Sequence, residues 1–426
     1  MSAPKRPAPS TEDHLPPKRD ALPKGREVLL VAFPKPRALP VPLLGEPIGR
    51  DWLDSHGASD TRVSSRHAVF TRRGTGLGVE DGGSRNGTFV NGRRLGPGER
   101  AALADGALVR IGRTLLVFRD DFHGPDAPAE PIGGKLVGPF GLRAVGEFLA
   151  ALEARPSSNV LIEGETGTGK ELVARAVAEA AARANPYGAV NMAGLATGTF
   201  EAQLFGYVAG AYSGSGKGSP GLFRAHEGGA VFLDEIGELS LELQAKLLRV
   251  LENREILPVG AVRSVPVDVF IVAATNRSLE EAVAQGSFRR DLLARLASAR
   301  IELPPLRERA EDIFAISEAI ARTQGESLES ANVEVEAIER IMLHELRSNV
   351  RELASVLQRA FAADRKPTLR LETVERILGP LDTAPTSALT VALVQEAIRA
   401  AGSESAAARR LGITRGKLRR FLQSEQ

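Results

Sequence analysis

Eight consecutive residues, Gly164, Glu165, Thr166, Gly167, Thr168, Gly169, Lys170 and Glu171, have the types and spacing of a phosphate-binding loop. The glycines let backbone N–H groups converge on phosphate oxygens, and a following helix adds its positive end. Lys170 then serves the outer phosphates as a point charge. Glu171 stands where many such loops carry a Ser or Thr that touches Mg²⁺. A second candidate lies at Gly229-Ala230-Val231-Phe232-Leu233-Asp234-Glu235, an apolar run ending in two carboxylates. Asp234 there suits Mg²⁺ or its water, and Glu235 suits the orientation and polarisation of an attacking water. Elements must position both motifs. Asn159-Val160-Leu161-Ile162-Glu163 reads as a buried strand and Leu172–Glu179 as a helix, so the loop lies between strand and helix.

Composition sets the frame. The chain has 426 residues, room for about three domains. It is 43% hydrophobic and 25% charged with a net charge of +2, which is ordinary globular protein and no bulk polyanion binder. With no cysteine there is no disulfide frame or thiolate metal site. No membrane helix and no secretory leader are expected, and a cytoplasmic location suits the composition. Residues 1–25, rich in Pro, Lys, Arg and Asp, read as a disordered tail.

Residues 26–122 hold short apolar runs separated by Asp81-Gly82-Gly83, Asn86-Gly87, Asn91-Gly92 and Asp105-Gly106, the pattern of a β-sandwich without helices of useful length. Three of its loops carry Gly49-Arg50, then Ser64-Ser65-Arg66-His67, then Arg85-Asn86-Gly87-Thr88-Phe89-Val90-Asn91-Gly92. This closely resembles a forkhead-associated (FHA) domain. The resemblance implies binding of a threonine-phosphorylated protein, with Arg50 and Ser64 on the phosphate and Ser65 beside them. Asn86 would pin the peptide backbone, and Arg85 occupies a position where family members often have Thr. An Arg fork with a hydroxyl suits a dianion. His67 reads as a loop-ordering core residue.

Residues 123–135 form a Pro-rich linker, after which helical patterns alternate with apolar strands over 136–305, an α/β layered domain with a mainly parallel sheet. Its strands end at Asn191, at Asp234 and at Thr275-Asn276, and Phe288–Leu296 reads as a helix with spaced arginines. The strings GETGTGKELVARAV, GAVFLDEIGELSLELQAKLLRVLE, VAATNRSL, FRRDLLARL, LPPLRERAEDI and NVREL resemble the AAA+ ATPase domain of sigma-54-dependent transcriptional activators. That resemblance implies a homo-oligomeric ring, usually a hexamer, with ATP and Mg²⁺ at subunit interfaces. It implies a helical lid at 306–380, trans-acting Arg289 and Arg295, a switch Asn191, sensor I at Thr275-Asn276 and sensor II at Arg351. Glu171 is usual in this family. The loop that engages sigma-54 departs from the family's G-A-F-T-G-A: it reads Gly210-Ala211-Tyr212-Ser213-Gly214-Ser215. Val208 replaces an acid, Phe270 an arginine, and Leu346-Arg347-Ser348 a tryptophan–proline–glycine.

After a linker at 381–390, residues 391–426 give helix, glycine turn, Thr cap and basic helix, a helix-turn-helix pattern that resembles the Fis-type DNA-binding end of the same activators. Arg415 and Lys417 suit base edges, Arg419 and Arg420 suit phosphates, and Thr414 caps the basic helix.

The expected fold is therefore multidomain: an all-β sandwich, an α/β P-loop AAA+ ATPase with helical lid, and a small all-α unit. The expected function is an ATP-driven regulator that binds enhancer-like DNA and remodels sigma-54 RNA polymerase under phosphothreonine control. The altered loop motivates an alternative, a DNA-bound regulator that represses or competes. A third reading is a phosphopeptide-binding scaffold in which ATP serves only assembly.

Overall fold

The structure, a computed structural model, describes residues 25–74, 76–155, 157, 159–193, 197–211, 216–379, 391–401, 407 and 418. The N-terminal unit is two antiparallel sheets. The six-stranded sheet runs in the order Arg37–Pro40, Arg26–Phe33, Thr114–Phe122, Leu108–Ile111, Thr88–Val90, Arg93–Arg94. The four-stranded sheet runs Pro47–Ile48, Ala68–Arg73, Gly76–Asp81, Arg100–Ala102. Leu29, Val31, Phe70, Val79, Val109 and Leu116 fill the space between them. Beside the sheets, Arg50–Ser55 is a short six-residue helix directly after Gly49.

The strand Arg26–Phe33 is buried from Val28 to Phe33 without interruption. Side chains alternate across a strand, so such a run needs cover on both faces. Leu29 and Val31 face the sandwich core, while Val28, Leu30 and Ala32 join a second cluster with Phe314, Ile338, Ile341 and Leu357 from far along the chain. Phe33 meets Phe314 edge to face, with ring centroids 4.7 Å apart. Each fully buried aliphatic or aromatic side chain contributes roughly 1.5–3 kcal/mol, so this face is a stable seat. The Pro-rich segment follows the seam: Asp126 pairs with Arg26 and accepts a bond from the Ala38 amide at its carbonyl.

The central unit is a five-stranded parallel sheet in the order Tyr187–Asn191, Ala230–Asp234, Phe270–Thr275, Asn159–Glu163, Arg300–Glu302. Val160 and Ile162 pack on Val173 and Val177 of the helix Lys170–Ala180, while Leu161 faces the opposite layer with Leu247 and Leu292. The strands are in register at their carboxyl ends, where Asn191 stands opposite Asp234 and Glu163 opposite Thr275. Open parallel sheets bind ligands at that edge.

Four lid helices follow, Ile313–Thr323, Val335–Met342, Asn349–Asp364 and Leu371–Leu378. They cover the exposed face of the sandwich's six-stranded sheet. Helix Val391–Ala401 is described, but Thr414, Arg415, Lys417, Arg419 and Arg420 lie outside the described residues. Among the described residues, no helix is long and apolar enough to cross a membrane.

Candidate functional site

The nucleotide loop leaves the strand Asn159–Glu163 and enters the helix at Lys170. Gly167 and Gly169 hold φ of 80° and 106°, in the region where only glycine is unstrained. Gly167 is needed for a second reason: a Cβ there would sit 2.2 Å from the Ser348 carbonyl oxygen and 3.2 Å from the Cβ of Arg351. The lid thus closes directly on the loop. Lys170 is buried, and its Nζ donates to the carbonyls of Gly164 (2.8 Å) and Glu165 (3.2 Å). Burial lowers its pKa, with the charges of Glu235 and Asp234 opposing that shift. Thr168 Oγ1 closes the loop onto the Glu165 carbonyl at 2.8 Å, and Glu171 is exposed in the helix's first turn.

Asp234 ends the strand Ala230–Asp234 and Glu235 follows it, with Phe270–Thr275 lying between this strand and Asn159–Glu163. Asp234 accepts from Asn191 Nδ2 (3.0 Å) and from the Glu235 amide (3.0 Å). Glu235 adopts φ 55°, ψ 47°, a left-handed conformation that costs a non-glycine residue about 1–3 kcal/mol and gathers at functional sites. Burial raises its pKa, followed by the attraction of Lys170, which opposes, and the repulsion of Asp234. A carboxylate so placed has heightened affinity for a proton, as a water-polarising base requires. Asn276 Nδ2 donates to Thr166 Oγ1 at 3.0 Å, and buried Thr275 accepts the Arg277 amide at 3.1 Å. The structure therefore brings together the loop, Asn191, Asp234, Glu235, Thr275, Asn276 and Arg351. Asn191 is bonded to Asp234.

Arg289 and Arg295 are placed elsewhere. The helix starts at Arg290, two residues later than the sequence suggests, because Arg289 is its N-cap and Phe288 is buried in the core. Arg289 pairs with Asp291 (3.0 and 2.8 Å) and Arg295 with Glu252 (3.1 Å), both exposed. Both lie at the protein surface.

Three residues that clamp the loop escaped the sequence reading. Arg307 makes two bonds to Glu165, Asn349 donates to Glu165 (3.2 Å) and to the Thr166 carbonyl (3.0 Å), and buried Arg309 donates to the Thr168 carbonyl (3.1 Å). Their strings, LPPLRERAEDI and NVREL, are legible; the side-chain targets are not.

In the FHA unit, Arg50, Ser64, Ser65, Arg85 and Asn86 line one groove of about 850 Å³. Gly49 is required because a Cβ there would overlap the Ser65 carbonyl oxygen at 1.8 Å. Arg50 donates to the carbonyls of Val63 (3.3 Å) and Thr61 (3.0 Å), Ser64 Oγ accepts the Arg85 amide (3.1 Å), and Asn86 donates to the Arg62 carbonyl (2.6 Å). His67 is fully buried: Nδ1 accepts the Ser64 amide (3.0 Å) and Nε2 donates to the Gly87 carbonyl (3.2 Å). Asp81, read from sequence only as a turn residue, is the hub of the third loop. Its carboxylate accepts from Ser84 Oγ (2.7 Å), Thr88 Oγ1 (2.8 Å) and the amides of Gly83 and Ser84. Of the loop expected to contact sigma-54, Gly210 and Ala211 are described, with φ 78° at Gly210 and the Ala211 amide on the Val208 carbonyl at 3.2 Å. Tyr212, Ser213, Gly214 and Ser215 lie outside the described residues.

The P-loop between a strand and a lid, with two carboxylates at the carboxyl end of another strand of the same sheet, defines an ATPase of the AAA+ class. Residues 144–302 match the sigma-54 interaction domain family, 48–112 the FHA domain family and 307–388 the AAA+ ATPase lid domain family. A Nif-specific regulatory protein of Bradyrhizobium diazoefficiens is 45% identical over 208 residues, 48% of this chain and 36% of the relative. The anaerobic nitric oxide reductase transcription regulator NorR of Escherichia coli is 40% identical over 317 residues, 71% of this chain and 62% of the relative. A Geobacillus stearothermophilus protein named limonene hydroxylase is 38% identical over 285 residues, 64% of this chain and 52% of the relative. The chain spans about half the length of the curated relatives it matches. Among solved structures, NtrX of Brucella abortus in complex with ADP superposes with a TM-score of 0.51 at 28% identity, covering 68% of each chain. Its ATP complex gives 0.50 at 29%, covering 68% of this chain and 69% of that one. The chain thus joins an FHA domain to a sigma-54 interaction domain and an AAA+ ATPase lid domain.

The site's residues fit ATP with Mg²⁺. The glycine cradle and buried Lys170 suit phosphate oxygens. Among the described residues no cluster of three or more His, Asp or Glu side chains has metal-binding geometry. Two carboxylates suit Mg²⁺, which keeps phosphate and water as most of its ligands.

Proposed function

We propose that this protein is an ATP-driven transcription regulator that remodels sigma-54 RNA polymerase and takes its instructions from a threonine-phosphorylated protein bound to the FHA domain. The observation that carries the reading is the convergence of Lys170, Asp234, Glu235, Asn191 and Asn276 on one sheet edge, beneath a lid that touches the loop. Lys170 and the loop amides hold the phosphates of ATP. Asp234 holds Mg²⁺, which when bound offsets charge on the transferring phosphoryl group. Glu235 orients and polarises the attacking water. Asn191, bonded to Asp234, sets the orientation of the acidic pair, and Asn276 fixes the loop through Thr166. Arg351 reaches the phosphates from the lid.

Arg289 and Arg295, at the protein surface, serve the nucleotide of an adjacent subunit in a hexameric ring and stabilise charge in the transition state there. Gly210, Ala211, Tyr212, Ser213, Gly214 and Ser215 form the loop that contacts sigma-54. Tyr212 keeps a ring, and Ser213 keeps a hydroxyl while losing a methyl that could pack on the partner. Thr414, Arg415, Lys417, Arg419 and Arg420 hold enhancer-like DNA and so concentrate the ring near the promoter. Arg50 and Ser64 take the phosphate of the partner, and Asn86 its backbone.

Promoter opening tests the reading. Purified protein, sigma-54 RNA polymerase, a supercoiled promoter and hydrolysable ATP are expected to give ATP-dependent open complexes. ATP turnover without open complexes, beside a working control activator, overturns the remodelling function.

A further inference from the structure

The phosphopeptide groove is not lined by the FHA domain alone. Glu336, on the lid helix Val335–Met342, closes one side, and it is the only carboxylate among the described lining residues. The opposite charges are many: Arg50, Arg62, Arg85 and Arg110 all line the groove. Arg110 is the one that the lid holds. Its Nη1 donates to Glu336 at 3.0 Å and its Nε to Glu339 at 2.7 Å, while its guanidinium lies 3.6 Å from the centroid of the Phe89 ring. Glu339 is buried, with Oε1 unpaired, whereas Glu336 is half-exposed at the groove.

A phosphothreonine brings a charge of roughly −1.5 to −2 and three strong acceptors. At physiological salt a charge is felt over about 8 Å, and within this groove the phosphate shares the lining with Arg110 and Glu336. It attracts the first and repels the second. We propose that Arg110 is a further phosphopeptide-binding residue that serves two acidic ligands in turn, the lid's Glu336 and the phosphopeptide, so that filling the groove releases the lid helix's Glu336 tie to the FHA domain and loosens that helix. This rests on the reading of the groove as a phosphopeptide site. The release has a route to the nucleotide, because the same lid holds the phosphate loop through Arg307 and Asn349. Coupling of this kind is reciprocal: the lid weakens the peptide by the factor by which the peptide weakens the lid.

The test uses the full chain and a peptide pool with one phosphothreonine and randomised flanks, beside the same pool unphosphorylated. Binding is read by anisotropy and lid release by hydrogen exchange at the amides of residues 335–342. Glu336→Gln, which keeps the shape and removes the charge, is expected to bind the phosphorylated pool about fivefold or more tightly than the native chain. In the native chain, the pool is expected to lower protection of residues 335–342. Equal affinity for both chains, or unchanged protection with the pool bound, overturns the competition and leaves the phosphopeptide site standing. A pool that binds neither chain overturns the phosphopeptide site itself, and this inference with it.

Discussion

Arg307 and Glu165 join the lid to the phosphate loop through two parallel bonds, Nη1 to Oε2 at 2.7 Å and Nη2 to Oε1 at 2.6 Å. Glu165 also accepts from Asn349, so one loop carboxylate collects two lid residues. The pair is more than a third exposed, and exposed pairs contribute about 0–1 kcal/mol to stability. Its effect therefore falls on loop geometry. Arg307→Ala is expected to leave the melting temperature within about 4 °C of native and to raise the KM for ATP several-fold. Steady-state turnover against ATP concentration, beside a thermal melt, checks both. A large loss of stability with unchanged KM would make the pair a structural brace.

Glu235 is held by a left-handed backbone at the end of a buried strand, so its carboxylate is placed by the main chain. Glu235→Gln keeps the volume and removes the base. It is expected to lower kcat by roughly 10²–10⁴-fold, the usual worth of a positioned acid–base group, and to keep ATP binding. Single-turnover hydrolysis with a separate binding titration distinguishes the two. Unchanged turnover removes Glu235 from its role.

The nucleotide site was legible because its signals are local. A strand, a glycine turn and a helix lie within one short segment, and each later strand ends in its own polar residue. What the sequence hides is where distant side chains land. The unbroken run Val28–Phe33 does signal a strand covered on both faces, but nothing in it names Phe314 or Ile338 as the cover. Arg110 shows only as a charge in a strand, and its partners Glu336 and Glu339 lie in another domain. The helix Arg50–Ser55 escaped because six residues are too few to show a period. Helix Arg290–Leu296 begins late because Phe288, apolar and in phase, is buried just before it.

Arg50 is oriented before any ligand arrives, since Nε and Nη2 rest on the Val63 and Thr61 carbonyls. Charge-assisted bonds contribute about 1.5–3 kcal/mol each. Arg50→Ala is therefore expected to weaken phosphothreonine-peptide binding by at least about tenfold, measured by calorimetry or anisotropy on the full chain. Retained affinity would place the phosphate elsewhere in the groove.

His67 gives the FHA domain a dependence on pH. Burial holds its pKa below the ordinary value of 6.5, with the Gly87 carbonyl opposing. In the folded chain the ring stays neutral, because Nδ1 must accept the Ser64 amide. The unfolded chain takes up a proton as pH drops below about 6.5. Protons then favour the unfolded state, so His67's contribution is complete above that pH and is lost as pH falls toward the folded value. Unfolding at pH 7 and at pH 5 is expected to show a less stable FHA domain at the lower pH. Thr88 and Ser84 keep Asp81 ionised across the same range: burial pushes its pKa up, but their bonds outweigh it and the value lies below the usual one. Asp81 then adds nothing to the slope across that range. His67→Gln is expected to lose about 1–3 kcal/mol at pH 7, the cost of a buried donor or acceptor left unpaired, and to flatten the dependence on pH. NMR titration of the ring reads the same shift directly. A ring that titrates at or above 6.5 in the folded chain would show that the bond from the Ser64 amide to Nδ1 does not hold the imidazole neutral, and the loss of stability at low pH would then not run through His67.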